Sequence, residues 1–157
     1  ATTGKAPDRE RNVITSLHIE SEQMEAVNEK LQQKYRTIAE NEVRFDAYHV
    51  EDAEIITVSY GVSSRICRKV VDIAREQGLK LGLLRPITLW PWPGDAIREL
   101  ADQQRVKLFL SVEMSAGQMV EDVRLAVEGR KPVKFYGRTG GIIPTPGEIL
   151  DFIKGQL

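Results

Sequence analysis

The sequence predicts an α/β fold: a three-layer α/β/α sandwich with a mostly parallel sheet, preceded by an extended arm and a long helix. Three observations carry the prediction. Short β-branched runs alternate with amphipathic segments of roughly 10–15 residues, the pattern of crossover units in a parallel sheet. The runs "IITVSY" at 55–60 and "VKLFLSVE" at 106–113 are largely apolar, as expected of strands covered on both faces. A chain of 157 residues, 41% hydrophobic and 29% charged, is long enough for one sizeable core.

Residues 1–20 are polar, without periodicity, and read as an extended connector. Residues 21–49 are read as an amphipathic helix and link, because Met24, Val27, Leu31, Tyr35 and Ile38 fall on one helical face after Ser21, a candidate cap. Residues 50–157 are read as the α/β domain. Its first strand is Ile55–Tyr60. Gly61 breaks it, and Ser63 or Ser64 is placed to cap a helix over 65–77 that Gly78 ends. A strand over 79–84, a helix over 95–103, a strand over 106–113 and a helix over 118–127 follow. The last units are a strand over 133–136 and a helix over 148–154, for which Thr145 is the expected cap and Pro146 suits the first position.

Composition excludes several classes. A net charge of -1 gives no pull toward nucleic acid or an anionic membrane. No apolar run approaches the ~20 residues that span a bilayer. A cytoplasmic location is expected, there being no charged-then-apolar leader. Opening at Ala1 in a polar stretch, the chain is expected to belong to a longer polypeptide. Lone Cys67 excludes an internal disulfide and cannot by itself ligate a cluster. His18 and His49 lack metal-ligand spacing, and no catalytic residue or metal site is expected.

Three junctions attract attention. In "VSYGVSSR", Gly61, Ser64 and Arg65 open a helix whose exposed N–H groups suit an anion; ordinary capping is the competing reading, since no GxGxxG or GxxxxGK[ST] is present. In "VEMSAGQM", Glu113 ends a strand beside Gly117 and Gln118, at the sheet edge where open α/β folds place ligands. With no second carboxylate or His spaced for proton transfer, structural or subunit-interface use is favoured there. "GRTGGIIPTPG" carries Arg138 in a Gly-rich loop that suits a phosphate, a partner backbone or a plain connection. Between them, "LRPITLWPWP" holds Arg85, Pro86, Trp90 and Trp92. Its prolines stiffen the chain and its indoles bring large apolar areas, so it reads as an anchor for another domain, or as a plug over the sheet's end.

"YGVSSRICRKVVDIAREQGLKLGLLRPITLWPWP" followed by "LSVEMSAGQMVEDVRLAV" resembles the C-terminal portion of the α subunit of 2-oxoacid:ferredoxin oxidoreductases, most closely the 2-oxoisovalerate (branched-chain) type. The resemblance covers nearly the whole chain. It implies a transketolase C-terminal-like domain in a holoenzyme that uses thiamine diphosphate, Mg²⁺, an iron–sulfur cluster and coenzyme A. The implied reaction converts a 2-oxoacid, CoA and oxidised ferredoxin to acyl-CoA, CO₂ and reduced ferredoxin. The family's GDG…N metal-and-diphosphate motif is absent from this sequence, so the implied role is an assembly domain without its own cofactor. Its implied partners are the other subunits and domains, with ferredoxin reached through a dimeric holoenzyme. Gly61, Ser64, Arg65, Glu113, Gly117, Gln118 and Arg138 are the candidate cofactor contacts, and Arg85, Pro86, Trp90 and Trp92 the candidate interface. The alternative is a stand-alone domain binding a small ligand such as CoA or a nucleotide.

Overall fold

A computed structural model describes residues 4–157, so the first three residues of the expected 1–20 connector lie outside the described residues. The chain divides into two units with the boundary between Thr37 and Ile38. In the first, residues 4–20 form neither helix nor strand, and the helix α1 (Ser21–Asn41), which runs across the boundary, has no buried residue. Its apolar positions recur at helical spacing but are too sparse to build a core of their own.

The second unit contains a five-stranded sheet in the order β1-β3-β2-β4-β5. The strands are β1 (Phe45–Tyr48), β2 (Ile55–Val58), β3 (Leu81–Pro86), β4 (Leu108–Glu113) and β5 (Val133–Gly137). The helices between and after them are α2 (Gly61–Glu76), α3 (Gly94–Ala101), α4 (Met119–Val127) and α5 (Pro146–Lys154). β2 through β5 are parallel and β1 is antiparallel to β3. Side chains alternate across the sheet as strand geometry requires. Ile56, Val58, Leu84 and Phe109 enter one core with Ile97 of α3 and Val123 of α4. Leu81, Leu83, Leu108, Leu110 and Val112 enter the other with Val70 of α2 and Ile149 of α5. Two apolar faces on the central strands β2, β3 and β4 therefore demand two helical layers, and the three-layer architecture follows.

Several boundaries differ from expectation for local reasons. β1 lies within the expected link over 21–49; "FDAY" is short and half-exposed, and alternates as an edge strand does rather than as a buried one. Leu79 does not enter β3, because its N–H closes α2 by donating to Ala74 O at 2.9 Å. α2 starts at Gly61, with Tyr60 at the cap position and no side-chain cap bond. Ser63 and Ser64 therefore sit inside the first turn instead of capping it, and Ser64 Oγ donates back to Gly61 O at 2.8 Å. Gly61, at φ +59°, supplies the left-handed step that turns the strand directly into the helix. α5 has the expected start: Thr145 and Glu148 form a reciprocal capping box, with Pro146 in the first turn.

Candidate functional site

The connection from β2 passes through α2 to β3 on one side, and the connection from β3 returns through α3 to β4 on the other. β2 and β4 are thus neighbours whose connections diverge, and a crevice opens beyond their carboxyl ends, as it does at such switch points in open α/β sheets. It is a cleft of about 210 Å³ lined by Tyr60, Gly61, Val62, Ser63, Val112, Glu113, Met114, Ser115 and Gln118.

Glu113 dominates its chemistry. Ser111 and Glu113 are two apart on β4, so both side chains point to the α4 face of the sheet. Ser111 Oγ donates to Glu113 Oε1 at 2.9 Å, and Ser115 Oγ donates to Oε2 at 2.9 Å. The N–H groups of Gln118 and Met119 donate to Oε2, and that of Val120 to Oε1, each at 2.9 Å. Gly117, at φ +109°, folds the loop back so that these donors converge. The carboxylate is 3% exposed. Burial pushes its pKa up, but the Gln118 N–H, the two serine hydroxyls and the Met119 N–H together outweigh burial and hold it below the ordinary carboxylate value. One side chain thus satisfies the orphan donors of α4 and places a negative charge at its positive end.

This geometry decides what the crevice can hold. The start of α4, where a diphosphate would sit in many α/β folds, is filled by the chain's own carboxylate. Thiamine diphosphate with Mg²⁺ does not fit these residues at α4, and among the described residues no group of three or more His, Cys, Asp or Glu side chains is placed to hold a metal. A cluster does not fit either. Cys67 is fully buried in α2, and burial pushes its thiol up to about 12, far from the thiolate that ligation needs.

The other candidate residues separate. Gly61 and Gln118 line the crevice with Glu113; Gly117 supports it from behind, its missing Cβ lying 3.3 Å from Val120. Ser64 is buried against the main chain of its own helix, and Arg65 is exposed on α2 outside the crevice lining. Arg138 is drawn to the α5 start, where its guanidinium donates to Glu148 Oε1 at 2.7 Å. Its backbone N–H meanwhile donates to Glu113 O at 3.1 Å.

The tryptophan segment splits as well. Trp90 is 58% exposed beside exposed Ile87 and Leu89, with Arg85 exposed nearby. Trp92 instead packs on the α3/α4 core, with Gly94 leaving room for its ring: a Cβ there would meet Trp92 Cδ1 at 3.3 Å. Pro86 is buried, in register with Phe45 of β1. Sequence reasoning missed Ser111 and Ser115, and read Ser63 only as a candidate cap. The strand alternation that pairs Ser111 with Glu113 was the available signal for one of them.

Known proteins resemble this chain in sequence and in fold. Residues 53–149 match the sequence family described as pyruvate:ferredoxin oxidoreductase core domain II. The chain is 48% identical over 144 residues to ketoisovalerate oxidoreductase subunit VorB of Methanothermobacter thermautotrophicus, covering 92% of this chain and 40% of that subunit. It is 41% identical over 106 residues to 2-oxoglutarate synthase subunit KorA of Methanothermobacter marburgensis, covering 68% of this chain and 28% of that subunit. Among solved structures, 2-oxoglutarate:ferredoxin oxidoreductase from Magnetococcus marinus, with 2-oxoglutarate, coenzyme A and succinyl-CoA bound, superposes with a TM-score of 0.69 at 17% identity, covering 88% of this chain and 24% of that one. A split-gene transketolase, an inactive β4 tetramer, gives 0.59 at 13% identity, covering 71% of this chain and 40% of that one. These two likenesses establish a transketolase-like fold. The chain spans about 40% of the length of the VorB subunits it matches.

Proposed function

Because the chain belongs to the pyruvate:ferredoxin oxidoreductase core domain II family, we propose that it is an assembly domain within the α-type subunit of a 2-oxoacid:ferredoxin oxidoreductase. The substrate of choice is 2-oxoisovalerate, on the strength of the VorB similarity. The whole enzyme would carry out oxidative decarboxylation of the 2-oxoacid in the cytoplasm, giving acyl-CoA and CO₂ with reduction of ferredoxin. Thiamine diphosphate, Mg²⁺, the iron–sulfur cluster and coenzyme A are assigned to other domains and subunits.

The observation that carries the assembly role is the closed start of α4. Glu113 occupies with five hydrogen bonds the position a cofactor diphosphate would take, so the start of α4 is self-sufficient. What the unit offers outward is the apolar ridge of Ile87, Leu89 and Trp90. That ridge follows directly from a β3 held between β1 and β2, so its position is fixed by the sheet.

The test is Trp90→Glu in the full-length subunit co-expressed with its partners. Mass photometry should show the assembled fraction falling at least tenfold, with 2-oxoisovalerate-dependent ferredoxin reduction falling in step. Intact assembly with a collapsed kcat would place Trp90 at the chemistry and overturn the reading. Comparing kcat/KM for 2-oxoisovalerate, 2-oxoglutarate and pyruvate on the wild-type complex tests the substrate; preference for either of the latter two defeats that part.

A further inference from the structure

Granted the assembly role proposed above, we infer that the groove between β1 and α3 receives an arginine side chain from a partner subunit. Every residue of the groove falls after the unit boundary, and its volume is about 470 Å³. Val43, Phe45 and Trp92 supply apolar surface, and Glu40, Asp95 and Glu99 stand around it. No Lys, Arg or His lines it. Asp95 is paired with Arg98 of its own helix, whereas Glu40 and Glu99 make no ion pair among the described residues. The cations adjacent in sequence are already committed, Arg44 to Glu42 and Arg98 to Asp95 and Glu128.

The other face of β1 shows what such a set of groups binds. Successive strand residues point to opposite faces, so Phe45 belongs to the α3 side and Asp46 and Tyr48 to the α2 side. On the α2 side the ring and carboxylate are answered from within the chain. Arg68 of α2 lies 3.9 Å from the centre of the Tyr48 ring, and its guanidinium is 3.8 Å from Asp46 Oδ2. The α3 side repeats the combination of aromatic surface and carboxylate without a cation of its own. Two unanswered negative charges beside apolar surface disfavour an acidic or a purely aliphatic occupant. Arginine suits the groove better than lysine: its planar, weakly hydrated guanidinium stacks on rings and binds carboxylate oxygens in pairs, while its stem covers apolar surface. Val43 and Phe45 are 37% and 42% exposed, an area that one guanidinium leaves wet, so the arginine comes on a segment with apolar neighbours. Trp92 follows Trp90 of the outward ridge by two residues, so ridge and groove adjoin and one partner covers both.

The experiment compares wild type with the double variant Glu40→Gln/Glu99→Gln in the full-length subunit co-expressed with its partners. Mass photometry over a dilution series at several NaCl concentrations measures the affinity of assembly. The double variant should assemble about tenfold more weakly, and its affinity should depend less on salt. Both positions are exposed, so its urea midpoint should stay at the wild-type value. Phenylglyoxal labelling read by mass spectrometry should find an arginine of another subunit protected in the wild-type assembly and modified in the double variant. Glu99→Arg, which supplies a guanidinium from the chain itself, should weaken assembly further. Unchanged affinity and salt dependence in the double variant would overturn the inference. So would protection that changes only at arginines of this chain, or at none. A wild-type subunit that assembles with nothing would overturn the assembly role as well, which sets that failure apart from this one.

Discussion

The starts of α2 and α4 make a natural pair. Both follow the central parallel strands, and both are preceded or opened by a glycine at positive φ, Gly61 at +59° and Gly117 at +109°. Both face one crevice. Yet α4 has every early donor satisfied by Glu113 or Ser115, whereas α2 has three N–H groups with no acceptor among the described residues. The register Val58↔Ser111, continued by two residues, sets Tyr60 level with Glu113. One strand ends in a carboxylate able to reach back to its helix; the other ends in a phenol that does not. A single residue type at equivalent positions separates a helix end capped by a side chain from one that is not.

The strongest way to break this comparison is to unseal α4. Glu113→Ala leaves buried N–H and hydroxyl donors without an acceptor and should cost about 3 kcal/mol in urea unfolding. A loss under about 1 kcal/mol would mean that water replaces the cap at little cost and that the two ends are alike.

Acid should act in the same direction. The folded Glu113 carboxylate has a lower pKa than it has unfolded, so the unfolded state binds protons first as pH drops. Its contribution is therefore complete above the ordinary carboxylate range and fades as pH falls through the folded value. Unfolding midpoints of wild type and Glu113→Gln, followed from pH 7 to pH 3, should converge. A gap that stays constant would show that the charge contributes nothing.

A smaller effect belongs to α5, which is sealed by a different device. Thr145→Ala removes one arm of the capping box and should cost about 1 kcal/mol.

The parallel core was legible because its strands carry apolar residues on both faces, a pattern that local sequence displays directly. β1 was not, since Phe45–Tyr48 is held by pairing to β3, by the Tyr48 hydroxyl donating to Asp72 at 2.8 Å and by Arg68 over the Tyr48 ring. All of those partners are distant in sequence. Glu113 was legible as a strand-end carboxylate of structural or subunit-interface use, but the source of its donors was not. They come from its own chain, because Gly117 reverses the loop. The tryptophans look equivalent as text; in space Gly94 admits Trp92 to the core and Trp90 stays outside. Arg138 read as part of a Gly-rich loop suited to a phosphate, a partner backbone or a plain connection, and folding brings Glu148 to it.

Cys67, buried in the α2 layer with its thiol held up to about 12, also has a practical consequence. As the sole thiol in the sequence, it is shielded from alkylating reagents for as long as α2 stays on the sheet. The rate at which it takes up such a reagent therefore times the opening of this layer. The chain carries its own stopwatch for structural breathing, with no engineered probe required.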